Sequence, residues 1–225
     1  DKIKTRLTRA LSEAPYLRIL SEPDYLIING RKCKNIPVIL REMRENPELL
    51  ERLSPRYLYR TFGDLTFQNI LAQGEEFMLL DPRGEDWGDL VYDLSKLNEA
   101  IFGKFYLLEH NLYTLEIQED SINFSFDKEA PEYLVYKELE AEFQKILRNA
   151  GILDYLSQDE PYWLQRMKLL GALNFAGYIL FRLDDDKKAR AFYIQSVLLV
   201  NNFLDEELPL IIPPQTVPPA VRRSL

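Results

Sequence analysis

Phe62-Gly63-Asp64-Leu65-Thr66-Phe67-Gln68-Asn69-Ile70-Leu71, followed at hairpin distance by Phe77-Met78-Leu79-Leu80-Asp81-Pro82-Arg83-Gly84, is the stretch whose reading decides the fold. Two short apolar runs each deliver a carboxylate, and Asn69 stands five residues after the first. In phosphoryl transfer the protein mainly positions and neutralises. It needs a carboxylate to accept a hydroxyl proton and oxygen ligands to hold Mg²⁺ against the phosphates. Asp64 suits the first task, and Asn69 and Asp81 the second. Asp, Asn and Pro also punctuate turns, so the plainer alternative is that these residues only shape a turn and end a strand.

The order Asp, four residues, Asn, hairpin gap, strand ending in Asp is that of a kinase catalytic loop and its metal-binding turn. Taken with Gly88-Asp89 and Tyr92-Asp93-Leu94-Ser95-Lys96-Leu97, the wording resembles the aminoglycoside phosphotransferase and choline kinase-like family. That resemblance implies an α+β, mainly α architecture, the C-terminal lobe of a kinase-like phosphotransferase. In such a lobe a helical bundle with short β-hairpins carries the catalytic and metal-binding loops. It implies Asp64 as the catalytic residue, Asn69 and Asp81 as metal ligands, and Mg²⁺ with ATP or GTP as cofactor and donor. Phe62, Gly63 and Asp93 support the catalytic loop, with Asp93 bracing it rather than doing chemistry. Phe62 stands where the family has His, a departure that alters the loop's support. Arg83 is a candidate contact for a phosphate or an acidic substrate group, with an ion pair to Glu85 or Asp86 as the alternative. Asp89 reads equally as a helix-start carboxylate or a functional one. The Asp-Pro-Arg-Gly form is similar to relatives found beside sugar nucleotidyltransferases of surface-polysaccharide pathways, which favours a sugar or amino-alcohol acceptor.

The 225 residues can bury a sizeable core, and 46% hydrophobic with 28% charged residues describe an ordinary globular chain. A net charge of −8 argues against nucleic acid or an anionic membrane as the main partner. With one cysteine, Cys33, an intramolecular disulfide is excluded, and with one histidine besides, His110, the sequence argues against a His/Cys zinc cluster. The longest apolar run, Leu169 to Phe181, is too short to span a bilayer. These features give a cytoplasmic expectation.

Along the chain, Ile3, Leu7 and Leu11 recur at helical spacing. Tyr25 to Ile28 reads as a strand closed by Asn29-Gly30, Ile36 to Arg44 as a helix, and Asn46-Pro47 as the start of another. Between Tyr57 and Asp81 the expected strands are one before Gly63, one at Asn69 to Ala72 and one at Phe77 to Leu80. A helix follows Asp89 with Leu90, Leu94, Leu97 and Ile101 on one face. Tyr113 to Ile117 and Ile122 to Phe126 form a hairpin, and its aromatic residues either pack the core or wall a pocket. Glu132 to Asn149, stopped by Ala150-Gly151, Pro161 to Arg182 and Lys187 to Phe203 are helices. Asp184-Asp185-Asp186 caps the last of these rather than binding metal.

Residues 1–207 form the lobe in this reading, and 208–225 an extended or disordered proline-rich tail. The opening at Asp1, with no Gly-rich cover and no strand lysine before Asp64, leads us to expect that the N-terminal nucleotide-binding lobe is absent from this chain, the fused upstream partner being that lobe or a nucleotidyltransferase domain. The function expected is transfer of a γ-phosphoryl group to a small-molecule hydroxyl. The alternative from another class is a catalytically inactive, pseudokinase-like binding or scaffolding module.

Overall fold

The computed structural model describes residues 2–83, 87–149, 156 and 160–212. It is α+β and mainly helical. Helix α1 (Lys2–Glu13) and short α2 (Arg18–Ser21) lead to strands β1 (Tyr25–Ile28) and β2 (Arg31–Lys34), then α3 (Ile36–Arg44) and α4 (Pro47–Arg52). The hairpin β3 (Ile70–Gln73) and β4 (Glu76–Leu79) precedes α5 (Leu90–Phe102), α6 (Phe105–Glu109) and a second hairpin, β5 (Tyr113–Ile117) and β6 (Ile122–Phe126). Helices α7 (Pro131–Asn149), α8 (Trp163–Ala176), α9 (Asp186–Glu206) and α10 (Leu208–Ile211) complete the described chain.

One sheet runs β2-β1-β6-β5, and β3-β4 stands apart from it. Asn29 and Gly30 carry φ of 52° and 77°, the left-handed pair that a two-residue hairpin turn requires. Asn29 also explains how β1 joins β6 through the single parallel pair Ile28 and Ile122. Its Nδ2 donates to Phe124 O at 2.7 Å and its Oδ1 accepts from Phe124 N at 2.8 Å, so a side chain continues the ladder. On the outer edge, Asn201 of α9 accepts from Lys34 N and donates to Lys34 O, each at 2.8 Å, and so covers the edge strand β2.

Three apolar clusters fill the interior: one under the sheet, where Tyr113 and Phe124 pack, one between α3, α4, α8 and α9, and one between α5, α7 and α8. The hairpin aromatics at Tyr113 and Phe124 are thus core residues. Phe192, Val197, Val200 and Phe203 share the buried face of α9, as their spacing predicts. Asp185 caps that helix by accepting from Lys188 N at 2.9 Å. Asn35 does the same for α3 while fully buried, because Tyr193 Oη donates to its Oδ1 at 2.6 Å and its Nδ2 reaches Leu20 O and Pro23 O.

Three expectations need correction. Among the described residues, the strand expected before Gly63 is a single bridge between Tyr59 and Gly88. The helix expected from Pro161 to Arg182 begins at Trp163 and ends at Ala176, where Gly177 breaks it before a 3₁₀ turn at Ile179–Arg182. The segment from Leu208 is not extended at its start. Leu208–Ile211 is helical, Pro209 sits in its first turn where the missing N–H is harmless, and Ile211 is fully buried. The rest of the proline-rich tail, the stop at Ala150-Gly151, and Glu85 and Asp86 lie outside the described residues.

Candidate functional site

The loop from Phe62 to Asn69 is shaped by one carboxylate. Gly63 adopts φ 84°, a conformation that a Cβ disfavours. In that conformation the successive amides of Phe62 and Gly63 donate to Asp93 Oδ2 and Oδ1, each at 2.7 Å. Asp93 sits in the first turn of α5, buried. Burial raises its carboxyl above the usual range; the two amides, which favour the charged form, offset only part of that. What position 62 supplies to this brace is its backbone, since Phe62 O also accepts from Arg83 N at 2.9 Å. An aromatic side chain is compatible with that role.

The loop then tightens on itself. Thr66 N donates to Asp64 O at 2.8 Å, Asn69 N to Thr66 O at 3.0 Å, and Asn69 Nδ2 to Asp64 O at 2.8 Å. With Nδ2 so used, Asn69 Oδ1 takes no hydrogen bond from a described residue. The β3-β4 register pairs Ile70 with Leu79, and Leu80 N donates to Asn69 O at 2.8 Å, so the hairpin brings Asn69 beside the residue that precedes Asp81. Asp81 turns out of β4 with φ 55°, a left-handed value that Asp tolerates better than most residues.

Arg83 closes the site. Its guanidinium donates to Asp81 Oδ2 at 3.0 and 2.8 Å and lies 3.5 Å from Asp64 Oδ2. Glu85 and Asp86 lie outside the described residues; among those described, the two site carboxylates take the guanidinium. The other oxygen of Asp64 faces Lys96 Nζ at 3.6 Å. Lys96 is fixed by a short ion pair to Glu99 and by Tyr178 Oη at 2.8 Å. Burial pulls the Lys96 ammonium down, but Glu99 and Tyr178 more than offset it, so it is held above its ordinary value. Burial pushes Glu99 up to about 7 in spite of Lys96.

Asp89 resolves toward a structural part. It caps α5 by accepting from Val91 N at 3.0 Å and pairs with buried Arg166 at 2.9 Å. Burial leaves its carboxyl raised even so.

Asp64 opens on a cleft of about 600 Å³, a size suited to a small molecule, with Arg6 of α1, Trp87, Tyr92 and Phe181 on its walls. On the other side of the loop, Thr66 and Phe67 border a pocket of about 290 Å³ that also reaches Tyr106, His110 and Tyr136. Sequence reasoning missed Lys96, Glu99, Tyr178 and Arg6. For Lys96 and Glu99 a signal existed, since steps of three from Asp93 place all three on one side of a helix. Tyr178 and Arg6 arrive from far along the chain and leave none.

Asn69 Oδ1 and the Asp81 carboxylate are hard oxygen atoms, the donor type that Mg²⁺ takes, on chain segments that the β3-β4 register makes neighbours. Among the described residues no three Asp, Glu, His or Cys side chains converge as a metal cage. Among the described residues no helix is long and apolar enough to cross a membrane. Comparison with protein-family models, with curated proteins and with solved structures finds no match for this chain.

Proposed function

We propose that this chain carries the catalytic loop of a Mg²⁺-dependent phosphotransferase that moves the γ-phosphoryl group of ATP or GTP to a hydroxyl of a small molecule, of the sugar or amino-alcohol class. The observation that carries the reading is that Asp64 and Asp81 meet one guanidinium while Asn69 is tied to Asp64, on a loop braced by Asp93. Asp64 orients the acceptor hydroxyl and takes its proton as the oxygen-phosphorus bond forms. The bond to the β-phosphate oxygen breaks and the nucleoside diphosphate leaves. Asn69 Oδ1 and the Asp81 carboxylate would hold Mg²⁺, which when bound neutralises phosphate charge. Lys96, fixed beside Asp64, adds positive charge next to the reacting groups.

A second reading, a catalytically inactive binding module, is favoured by one specific feature. Arg83 already neutralises the two carboxylates that a metal and a hydroxyl would engage. Incubating the full-length protein with Mg²⁺ and ATP or GTP, against a panel of sugars and amino-alcohols, separates the two. Phosphotransfer that Asp64→Asn and Asp81→Ala both abolish supports the first. A folded protein with no transfer, and with no Mn²⁺ binding gained in Arg83→Ala, leaves the second.

A further inference from the structure

The charged side chains that line the Asp64 cleft are Arg6, Asp64, Arg83, Asp89 and Lys96. Asp64 lies between Arg83 and Lys96, Arg83 also holds Asp81, Lys96 holds Glu99, and Asp89 is paired with Arg166. Arg6 stands apart. No carboxylate among the described residues pairs with it, although the chain has 36 acidic residues to 28 basic ones. Its guanidinium is nonetheless positioned. Half-buried on α1, it lies over the ring of Phe181, with Cζ 5.1 Å from the ring centre, within the range of a cation–π contact. Covering that ring is not what the contact achieves, since Phe181 remains more than half exposed. The lining of the cleft also divides the site. Asp64 belongs to it, whereas Asn69 and Asp81 do not. On the phosphotransfer reading the cleft therefore takes the acceptor, whose hydroxyl Asp64 meets, and the nucleotide phosphates held through Mg²⁺ lie outside it.

We propose that Arg6 takes an acid group on the acceptor, a carboxylate or a phosphate monoester, so that the substrate is a hydroxylated acid of the sugar class rather than a neutral sugar or an amino-alcohol. The role of that molecule as acceptor rests on the phosphotransfer reading; the anion site itself does not. A guanidinium presents a planar fork of donors that either acid group matches, and one already laid on Phe181 has less freedom left to lose on binding. An acid group supplies the opposite charge that Arg6 lacks. The ammonium of an amino-alcohol would meet that unmatched cation instead, beside carboxylates already engaged by Arg83, Lys96 and Arg166. Trp87, Tyr92 and Phe181 offer flat apolar faces to the ring carbons of a sugar.

Glucose, glucuronate and glucose phosphorylated on its primary hydroxyl test this, since they share one ring and differ in one substituent. With the full-length protein, Mg²⁺ and ATP or GTP, kcat/KM should be about tenfold higher for one of the acids than for glucose, the worth of one charged hydrogen-bonded pair in an open cleft. The preferred acid identifies the group. Arg6→Gln should raise KM for that acid and not KM for the nucleotide, and Arg6→Lys, which keeps the charge without the fork, should recover part of the preference. Transfer to glucose as efficient as to both acids overturns the proposal while phosphotransfer stands. A preference that Arg6→Gln leaves intact, or a rise confined to KM for the nucleotide, overturns it as well. If none of the three is phosphorylated, titration with the same compounds, followed through the indole N–H resonance of Trp87, decides the anion site separately from phosphotransfer. Tighter binding of an acid than of glucose, lost in Arg6→Gln, supports the site, and equal binding or none overturns it.

Discussion

Asp93→Asn tests whether one carboxylate holds the loop from Phe62 to Asn69 in place. In the wild type, both Asp93 oxygens accept backbone N–H groups at 2.7 Å, at a residue only 4% exposed. Asparagine keeps one acceptor and turns a donor toward the second amide, so either Phe62 or Gly63 loses its partner. An orphaned buried N–H costs about 1–3 kcal/mol, and the surviving bond gives up its charge assistance, about 1 kcal/mol more. A relief works against this. Burial already disfavours the charged form of Asp93, so a neutral amide escapes part of that desolvation. The net is about 2 kcal/mol, confined to the loop, which corresponds to about 30-fold in its opening equilibrium. Native-state hydrogen exchange at the Phe62 and Gly63 amides reads this directly. Exchange of both amides within about threefold of wild type would mean that Asp93 does not hold the loop, and the reasoning would fail.

Three further outcomes are expected. Burial lifts Glu99 from 4.5 to about 7, so the folded chain keeps a proton there that the unfolded chain has released. Its stabilising contribution is full below the unfolded value and is lost as pH rises through about 7. Urea unfolding should therefore show wild-type stability declining across that window and Glu99→Gln declining less, and equal slopes would remove Glu99 as the source. Gly103→Ala drives a Cβ into the ring of Phe175, which is fully buried and stacked on Phe192, and into the backbone carbonyl of Glu99. Overpacking of about 1–3 kcal/mol should appear as a lower urea midpoint, and an unchanged midpoint would mean the ring has room to move. Ile211→Ala should cost about 2–4 kcal/mol by the same measurement, since the side chain is fully buried. A loss below about 0.5 kcal/mol would mean that α10 is not packed on the body.

Most elements were legible because their signals are local. Asn29-Gly30 dictates its hairpin through two left-handed residues, Asn46 and Asp185 cap through their own side chains, and the apolar spacing of α9 marks its buried face. The misses have non-local causes. Nothing within Tyr57 to Phe62 shows that its strand partner among the described residues is Gly88, and a run of prolines hides that Leu208–Ile211 buries Ile211 against the body. Helix α5 illustrates the limit within the site itself. Hydrophobic periodicity marks which face is apolar, and the opposite face is by default solvated. Here Asp93, Ser95, Lys96, Asn98 and Glu99 are all buried, because α8 and the loop at Asp64 cover that face from elsewhere in the chain. Gly171 of α8 permits this approach, since a Cβ there would lie 2.6 Å from Asn98 Nδ2.

The two cations on Asp64 are therefore unlike, and the difference bears on what the site is for. Lys96 is buried and held by Glu99 and Tyr178, so moving it would strand a carboxylate in a space that burial already makes costly for charge. Arg83 is two-thirds exposed, and ion pairs of that kind contribute about 0–1 kcal/mol. On the phosphotransfer reading, a divalent ion competing for Asp81 would have only a weakly held guanidinium to displace, while the charge beside Asp64 would stay fixed. On the phosphotransfer reading, the exposed arginine is the exchangeable half of the site, free to leave Asp81 and meet a phosphate, and the buried lysine is the permanent half. A purely structural pair would gain nothing from leaving its arginine in water. The asymmetry between an anchored lysine and a loosely held arginine therefore favours a site that exchanges its cation over one that only holds a loop closed.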